Sequence, residues 1–263
     1  MRISMTGSTC GAAILLAAQL HAADGVVITE TTTVGGKTRT TRMQVTRDHV
    51  RTEIASASGD NEVVIFDATT QVMWMVNYDK KTYTEMTKAE ADKMGAQMGD
   101  ANAMMQEMLK SLPPEQRARM EQMMKGRGAS FPSAQPQRIE YKRAGADKVG
   151  KWACAKYEGF RETQKASELC TVDVKDLGIS ATDLDATRQM SEFFGKMRPQ
   201  NAESLPAVGT DGQGFIGFPV RRVTTTGNVQ SVTEVSDVSR QNLPDSAFAL
   251  PSDFKKAASP FAR

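Results

Sequence analysis

The chain has 263 residues, with 33 Lys and Arg against 31 Asp and Glu, for a formal net charge of +2. So even a balance excludes the basic footprint of a nucleic-acid-binding protein. Aromatic residues make up only 6%, whereas methionine is abundant at 16 residues, and half of these lie between positions 94 and 124.

The N-terminal region reads as a targeting segment. Arg2 gives a positive start, Gly11 to Leu20 is an uncharged apolar run, and His21-Ala22-Ala23 offers small residues for cleavage. The run is shorter than the roughly 20 apolar residues that span a bilayer. This is the pattern of a secretory signal peptide over residues 1–23, cleaved near Ala22 or Ala23, with a retained N-terminal anchor as the alternative. Cys10 lies before the apolar run and leaves with the peptide. Residues 24–263 are expected to form a single periplasmic domain without a transmembrane segment.

From Val26 to Met86 the pattern is that of six strands. Val26–Val34, Lys37–Thr46, His49–Ala57, Glu62–Asp67, Gln71–Asn77 and Lys81–Met86 are short β-branched runs separated by turn residues such as Gly35-Gly36 and Ser58-Gly59-Asp60-Asn61. Val63-Val64-Ile65-Phe66 and Val72-Met73-Trp74-Met75-Val76 are apolar at successive positions. Successive side chains point to opposite faces, so both faces of this ribbon must be apolar. One face can meet other strands; the second needs helices, a bound ligand, or both.

Thr87-x-x-Glu90 fits a capping box. Beyond it Met94, Met98, Ala101, Met105, Met108 and Leu112 share one helical stripe. Pro113-Pro114 ends this helix and can open a second over 115–125, completing a Met-rich helical insertion over 87–127. Residues 128–137 have linker composition. Strands resume at Arg138–Arg143, 151–161, 165–174, Phe215–Thr226 and Val229–Ser239, with a helix capped by Ser180-x-x-Asp183 between them.

Cys154 and Cys170 remain in the mature chain. An even pair in an exported protein reads as a disulfide. The two are equidistant from Glu162 in a hairpin, so they could face each other across it; two buried thiols are the alternative.

Catalytic parts are scarce. His49 is the one histidine of the mature chain, on a strand, and no Gly-x-Ser-x-Gly elbow is present. Gly212-Gln-Gly214-Phe-Ile-Gly217 matches a dinucleotide fingerprint in letters, but a strand follows it where a helix is required. Asp183 and Asp185 sit at a helix start, where capping explains them. No metal site or cofactor is expected, and no enzyme activity. The methionine stripe is either ordinary core or a lid over an apolar site, since methionine suits surfaces that accept varied apolar partners.

These residues resemble a bacterial family known as domain of unknown function 4412. The resemblance rests on Asp24-Gly-Val-Val-Ile-Thr-Glu30, on residues 63–87, on the Met-rich helix with residues 113–126, on Gly150-Lys-Trp-Ala-Cys154-x-x-Tyr157, and on Phe248-x-Leu-Pro251 with Phe254-Lys255. The phrase carrying Trp74, Asp79 and Tyr83 is also similar to the lipoprotein-carrier (LolA/LolB-like) superfamily. That likeness implies an α+β fold, a curved antiparallel β half-barrel of about ten or eleven strands with helices covering its concave face. It implies an envelope location and an apolar concavity but supplies no activity; the expected function is a binder or carrier of an apolar ligand such as a lipid or lipoprotein acyl chain, with a lining of Phe66, Trp74, Met94, Met98, Met105 and Met108. A module that holds an envelope protein through a sheet edge or the methionine helices is the alternative.

Overall fold

The computed structural model describes residues 22–55, 61–113, 115–116, 119, 139–197, 209, 214–227 and 229–258. Residues 1–21 of the expected signal peptide, most of the second methionine helix and the linker lie outside these residues, while Ala22 and Ala23 open the first strand.

The first half is an antiparallel meander: β1 (Ala22–Val34), β2 (Lys37–Val45), β3 (His49–Ala55), β4 (Asn61–Asp67), β5 (Val72–Asn77) and β6 (Thr82–Thr87). Gly35 and Gly36 hold φ of 56° and 78° in the β1–β2 turn, a left-handed pair that glycine adopts without steric cost. The second half adds β7 (Glu140–Val149), β8 (Trp152–Arg161), β9 (Gln164–Val172), β10 (Phe218–Thr226), β11 (Val229–Pro244) and β12 (Lys255–Lys256). All twelve join one open sheet in the order β12-β6-β5-β4-β3-β2-β1-β11-β10-β9-β8-β7. It is mostly antiparallel and not closed into a barrel. The thirteen-residue β1 joins the halves, pairing with β2 on one side and along its length with β11 on the other. The count is twelve rather than ten or eleven because β12 has two residues, too few to leave a periodic signal.

Register sets the faces of β1 to β6. On one face the row Val26, Val45, Val50, Phe66, Met73, Met86 runs across the six strands, and all six are buried. The next row is Ile28, Met43, Thr52, Val64, Met75, Thr84. Here burial fades: Val64, Met75 and Thr84 are only half-buried.

Two helices meet this face. α1 (Lys88–Ser111) starts on the expected capping box, with Glu90 N–H donating to Thr87 Oγ1 at 3.3 Å and Thr87 N–H to Glu90 Oε2 at 2.8 Å. α2 (Asp185–Met197) follows a 3₁₀ turn at Ala181–Leu184. Ser180 and Asp183 form the box there: Ser180 N–H donates to Asp183 Oδ2 at 2.7 Å. Ala186, Met190 and Phe193 of α2 are buried at helical spacing. With Leu177, Ile179, Leu184 and Ala91 they join the apolar rows in one core.

The opposite face has a cover of its own. Val27, Val63, Ile65 and Val76 pack with Leu243 and Phe248, and Trp74, Tyr83, Leu250 and Phe254 lie around them. The chain after β11 thus folds back as a strap, through a 3₁₀ turn at Asp245–Phe248, and ends by pairing β12 parallel to β6.

Cys154 and Cys170 are joined, with Cα atoms 5.4 Å apart. They are not directly opposite each other. The hairpin turns between Glu162 and Thr163, with Arg161 opposite Gln164, and an irregularity at Gly159/Phe160 shifts it by one residue more, so that Cys170 faces Lys156 and the bridge runs diagonally.

Candidate functional site

The expected apolar lining comes apart once β-sheet alternation is applied to it. Phe66 faces the helices, with its ring centroid 5.5 Å from that of Phe193. Met94 packs on the same core. Trp74 pairs with Ile65, one position away from Phe66 and Met73, so it points to the other face. There its indole N–H donates to Glu85 at 3.0 Å, and Lys256 reaches the same carboxylate at 2.6 Å. Those two hydrogen bonds, Lys256 first, hold the Glu85 carboxyl below its ordinary range. Trp74 therefore fastens the strap and does not line a cavity with Phe66.

The remaining methionines also leave the expected interior. Met98, Met105 and Met108 are 40%, 38% and 52% exposed, and Met104, outside the recognised stripe, is 75% exposed. α1 has 24 residues, about 36 Å of helix at 1.5 Å per residue; Ala91 and Met94 join the helix-side core and Leu109 is buried near the far end, but the stretch between them leaves its methionines exposed. Met94 is thus core, while Met98 through Met108 form an outward apolar face. Val64 and Met75, half-buried on the helix side of the sheet, lie on β4 and β5, two strands and one strand away from the β6 that leads into α1.

Three polar features complete the picture. His49 stacks on Phe248 at 5.3 Å, a packing role under the strap. Glu30 on β1 is buried, and its Oε1 has no hydrogen-bond partner; burial pushes its carboxyl upward, partly offset by the Arg222 guanidinium. A cleft of about 430 Å³ opens between the start of β1, the end of β2 and the start of α2, lined by Asp24, Arg47, Asp183 and Asp185. Asp183 is already engaged there. Burial alone would raise it, but hydrogen bonds from Ser180 and the charge of Arg240 outweigh that and hold it low. Among the described residues no cluster of three or more His, Cys, Asp or Glu could hold a metal, and no helix is long and apolar enough to cross a membrane.

Sequence reasoning missed the strap and Glu30. The strap left a usable signal, because Leu243, Phe248, Leu250 and Phe254 are apolar residues in a terminal stretch that otherwise has no partner. Glu30 left none, since a charge between threonines reads as a solvated position.

An open twelve-stranded sheet with helices on one face, a C-terminal strap on the other and an exposed methionine helix defines a class of apolar-faced α+β proteins. The family model for the domain of unknown function DUF4412 matches residues 102–254, and the chain belongs to that family. No curated protein matches it. Solved structures with some likeness include an uncharacterized conserved protein from Thermus thermophilus, at 10% identity over 89% of each chain with a TM-score of 0.46. PNGF-II is similar at 12% identity over 89% of this chain and 31% of that chain, TM-score 0.36. A DUF1329 family protein from Desulfovibrio piger is similar at 9% identity over 87% and 90%, TM-score 0.24. At these scores none of them informs the fold or the function.

Proposed function

We infer that this is an exported, non-catalytic binding or carrier protein for an apolar ligand, of the class of a lipid or lipoprotein acyl chain. The observation that carries the reading is the run of exposed methionines at 98, 104, 105 and 108 on α1. Methionine side chains are flexible and polarisable, and they adapt to apolar partners of varied shape. An acyl chain gains about 0.8 kcal/mol for each methylene it buries, so a shallow surface holding several methylenes suffices for reversible loading. The ligand is received on this surface and at the Val64 and Met75 corner, where the sheet's apolar face is least covered. The cysteine bridge supports an exported protein. His49, held against Phe248, supports a non-catalytic role.

Native mass spectrometry of protein purified from the bacterial envelope tests this reading. The expected result is a population carrying lipid-sized adducts, strongly reduced when Met98, Met105 and Met108 are all replaced by Ser. Protein that arrives empty and takes up no acyl-chain probe overturns it. Recovery of a crosslinked protein in place of a lipid would replace the carrier with a protein-interaction module.

A further inference from the structure

The exposed methionines have a property that apolarity does not use. Met and Leu have nearly equal helix propensities, so helix formation does not ask for sulfur on α1. Met104, Met105 and Met108 are nonetheless all methionine and all open to solvent, at 75%, 38% and 52%. Their positions converge. At 100° per residue, Met108 sits roughly 40° from Met104 and 60° from Met105, one turn along the helix. Side chains three and four apart on a helix are neighbours, with Cβ atoms about 5–6 Å apart. Met104 and Met105 are about 100° apart and Met108 lies between them one turn on, so the three flexible stems flank one patch of the helix surface within a thioether's reach of one ion.

Thioether sulfur is a neutral, soft donor. It selects soft cations such as Cu(I), whereas hard cations require carboxylates, carbonyls or water. No competing site for a hard or borderline metal is present among the described residues. The thiols that would otherwise take a soft ion, Cys154 and Cys170, are tied to each other. Asp100 lies one turn before Met104, while Glu107, next to Met108, is paired with Lys110 at 4.0 Å, so Asp100 is the acidic neighbour left to favour a cation.

We propose that Met104, Met105 and Met108 form a trigonal thioether site for one soft monovalent cation, Cu(I) or its analogue Ag(I). Binding is coordination alone: three sulfur lone pairs are donated and no electron is transferred. The site lies on the same methionine face as the apolar-ligand reading but does not rest on it, because silver binding is read on lipid-free protein.

The experiment uses the full mature chain labelled at the methionine methyl groups and titrated with silver nitrate. NMR should show the methyl signals of Met104, Met105 and Met108 shifting together and saturating at one ion per chain, with a matching single-ion adduct in native mass spectrometry. The combined Met104→Leu, Met105→Leu, Met108→Leu variant should lose that adduct. Silver uptake undiminished in that variant, or shifts confined to other methionines, overturns the proposal. Should the triple variant disturb α1, as judged by circular dichroism, Met108→Leu alone gives the same reading: loss of the coordinated shift at positions 104 and 105 supports the site, and its persistence overturns it.

Discussion

If the strap is a structural layer, Phe248→Ala should be among the most damaging single changes in the chain. Phe248 is 7% exposed, and its neighbours Val27, Val63, Ile65, Val76 and Leu243 are all at 5% or less. Fully burying a phenylalanine side chain is worth about 1.5–3 kcal/mol. Truncating one to alanine in a rigid core costs about 3–5 kcal/mol once the cavity is included. The strap can partly collapse into the space, since its Leu250 and Phe254 are only half-buried, so the expected loss is about 2–4 kcal/mol. Urea unfolding followed by far-ultraviolet circular dichroism measures it. Tryptophan emission adds a local report, because Trp74 lies under the strap while Trp152 belongs to the helix-side core. The variant's emission should shift to the red in the folded baseline when Trp152 is replaced by Phe, and should not when Trp74 is replaced instead. A loss below about 1 kcal/mol, the size of an ordinary surface substitution or little more, with an unchanged Trp74 signal would refute the two-layer reasoning.

Two further outcomes follow from named groups. Glu30 has its folded-state pKa raised, chiefly by burial, so folding favours its protonated form. Its charge lowers stability at pH values above the folded pKa, and that penalty fades as pH falls through the folded pKa towards the unfolded value. Glu30→Gln should therefore be more stable than wild type at pH 8 by denaturant titration, with the gap narrowing at pH 5; a gap that is constant or widens on acidification contradicts the assignment. Replacing Cys154 and Cys170 together by Ser removes a cross-link between residues 16 apart. This should cost about 3 kcal/mol in the chain-entropy model, measured against the oxidised wild type, while reduced wild type should match the variant.

Much of the β architecture was legible because alternation is local. The six strands of the first half, the cysteine hairpin and both capping boxes were readable from residues within a few positions of one another. The two-faced ribbon was also readable, and it carried its own correction: if Val63 through Phe66 alternate, Phe66 and Trp74 cannot share a lining once Ile65 pairs with Trp74. That pairing is set by the turn between β4 and β5, where Gln71 takes a φ of 52° and nothing in its chemistry announces the register. The strap was illegible for a different reason. Its apolar residues are spaced by prolines and a short 3₁₀ turn, so no period of 2 or 3.6 survives. Its partner strands lie more than 160 residues earlier in the chain, a separation that no local pattern encodes.

The same layering decides where a ligand can go. Apolar surface on both sides of β4 and β5 demanded two covers, and the chain supplies both from itself: α1 and α2 with their flanking turns on one side, residues 243–256 on the other. A ligand buried between sheet and helices would have to displace Phe193 and Met190, which are nearly fully buried, at a cost of about 2–5 kcal/mol for each large side chain uncovered. The rim imposes no such cost. Across the second row the cover fades from Thr52, buried on β3, to Val64 and Met75, half-buried on β4 and β5, and α1, which follows β6, leaves Met98, Met104, Met105 and Met108 exposed. On the carrier reading proposed above, an apolar guest meets the least resistance at the half-buried Val64 and Met75 rim and on the exposed methionines of α1. Replacing Val64 or Met75 with Asp should then weaken acyl-chain uptake far more than Met190→Leu, which keeps the core filled and leaves the rim untouched.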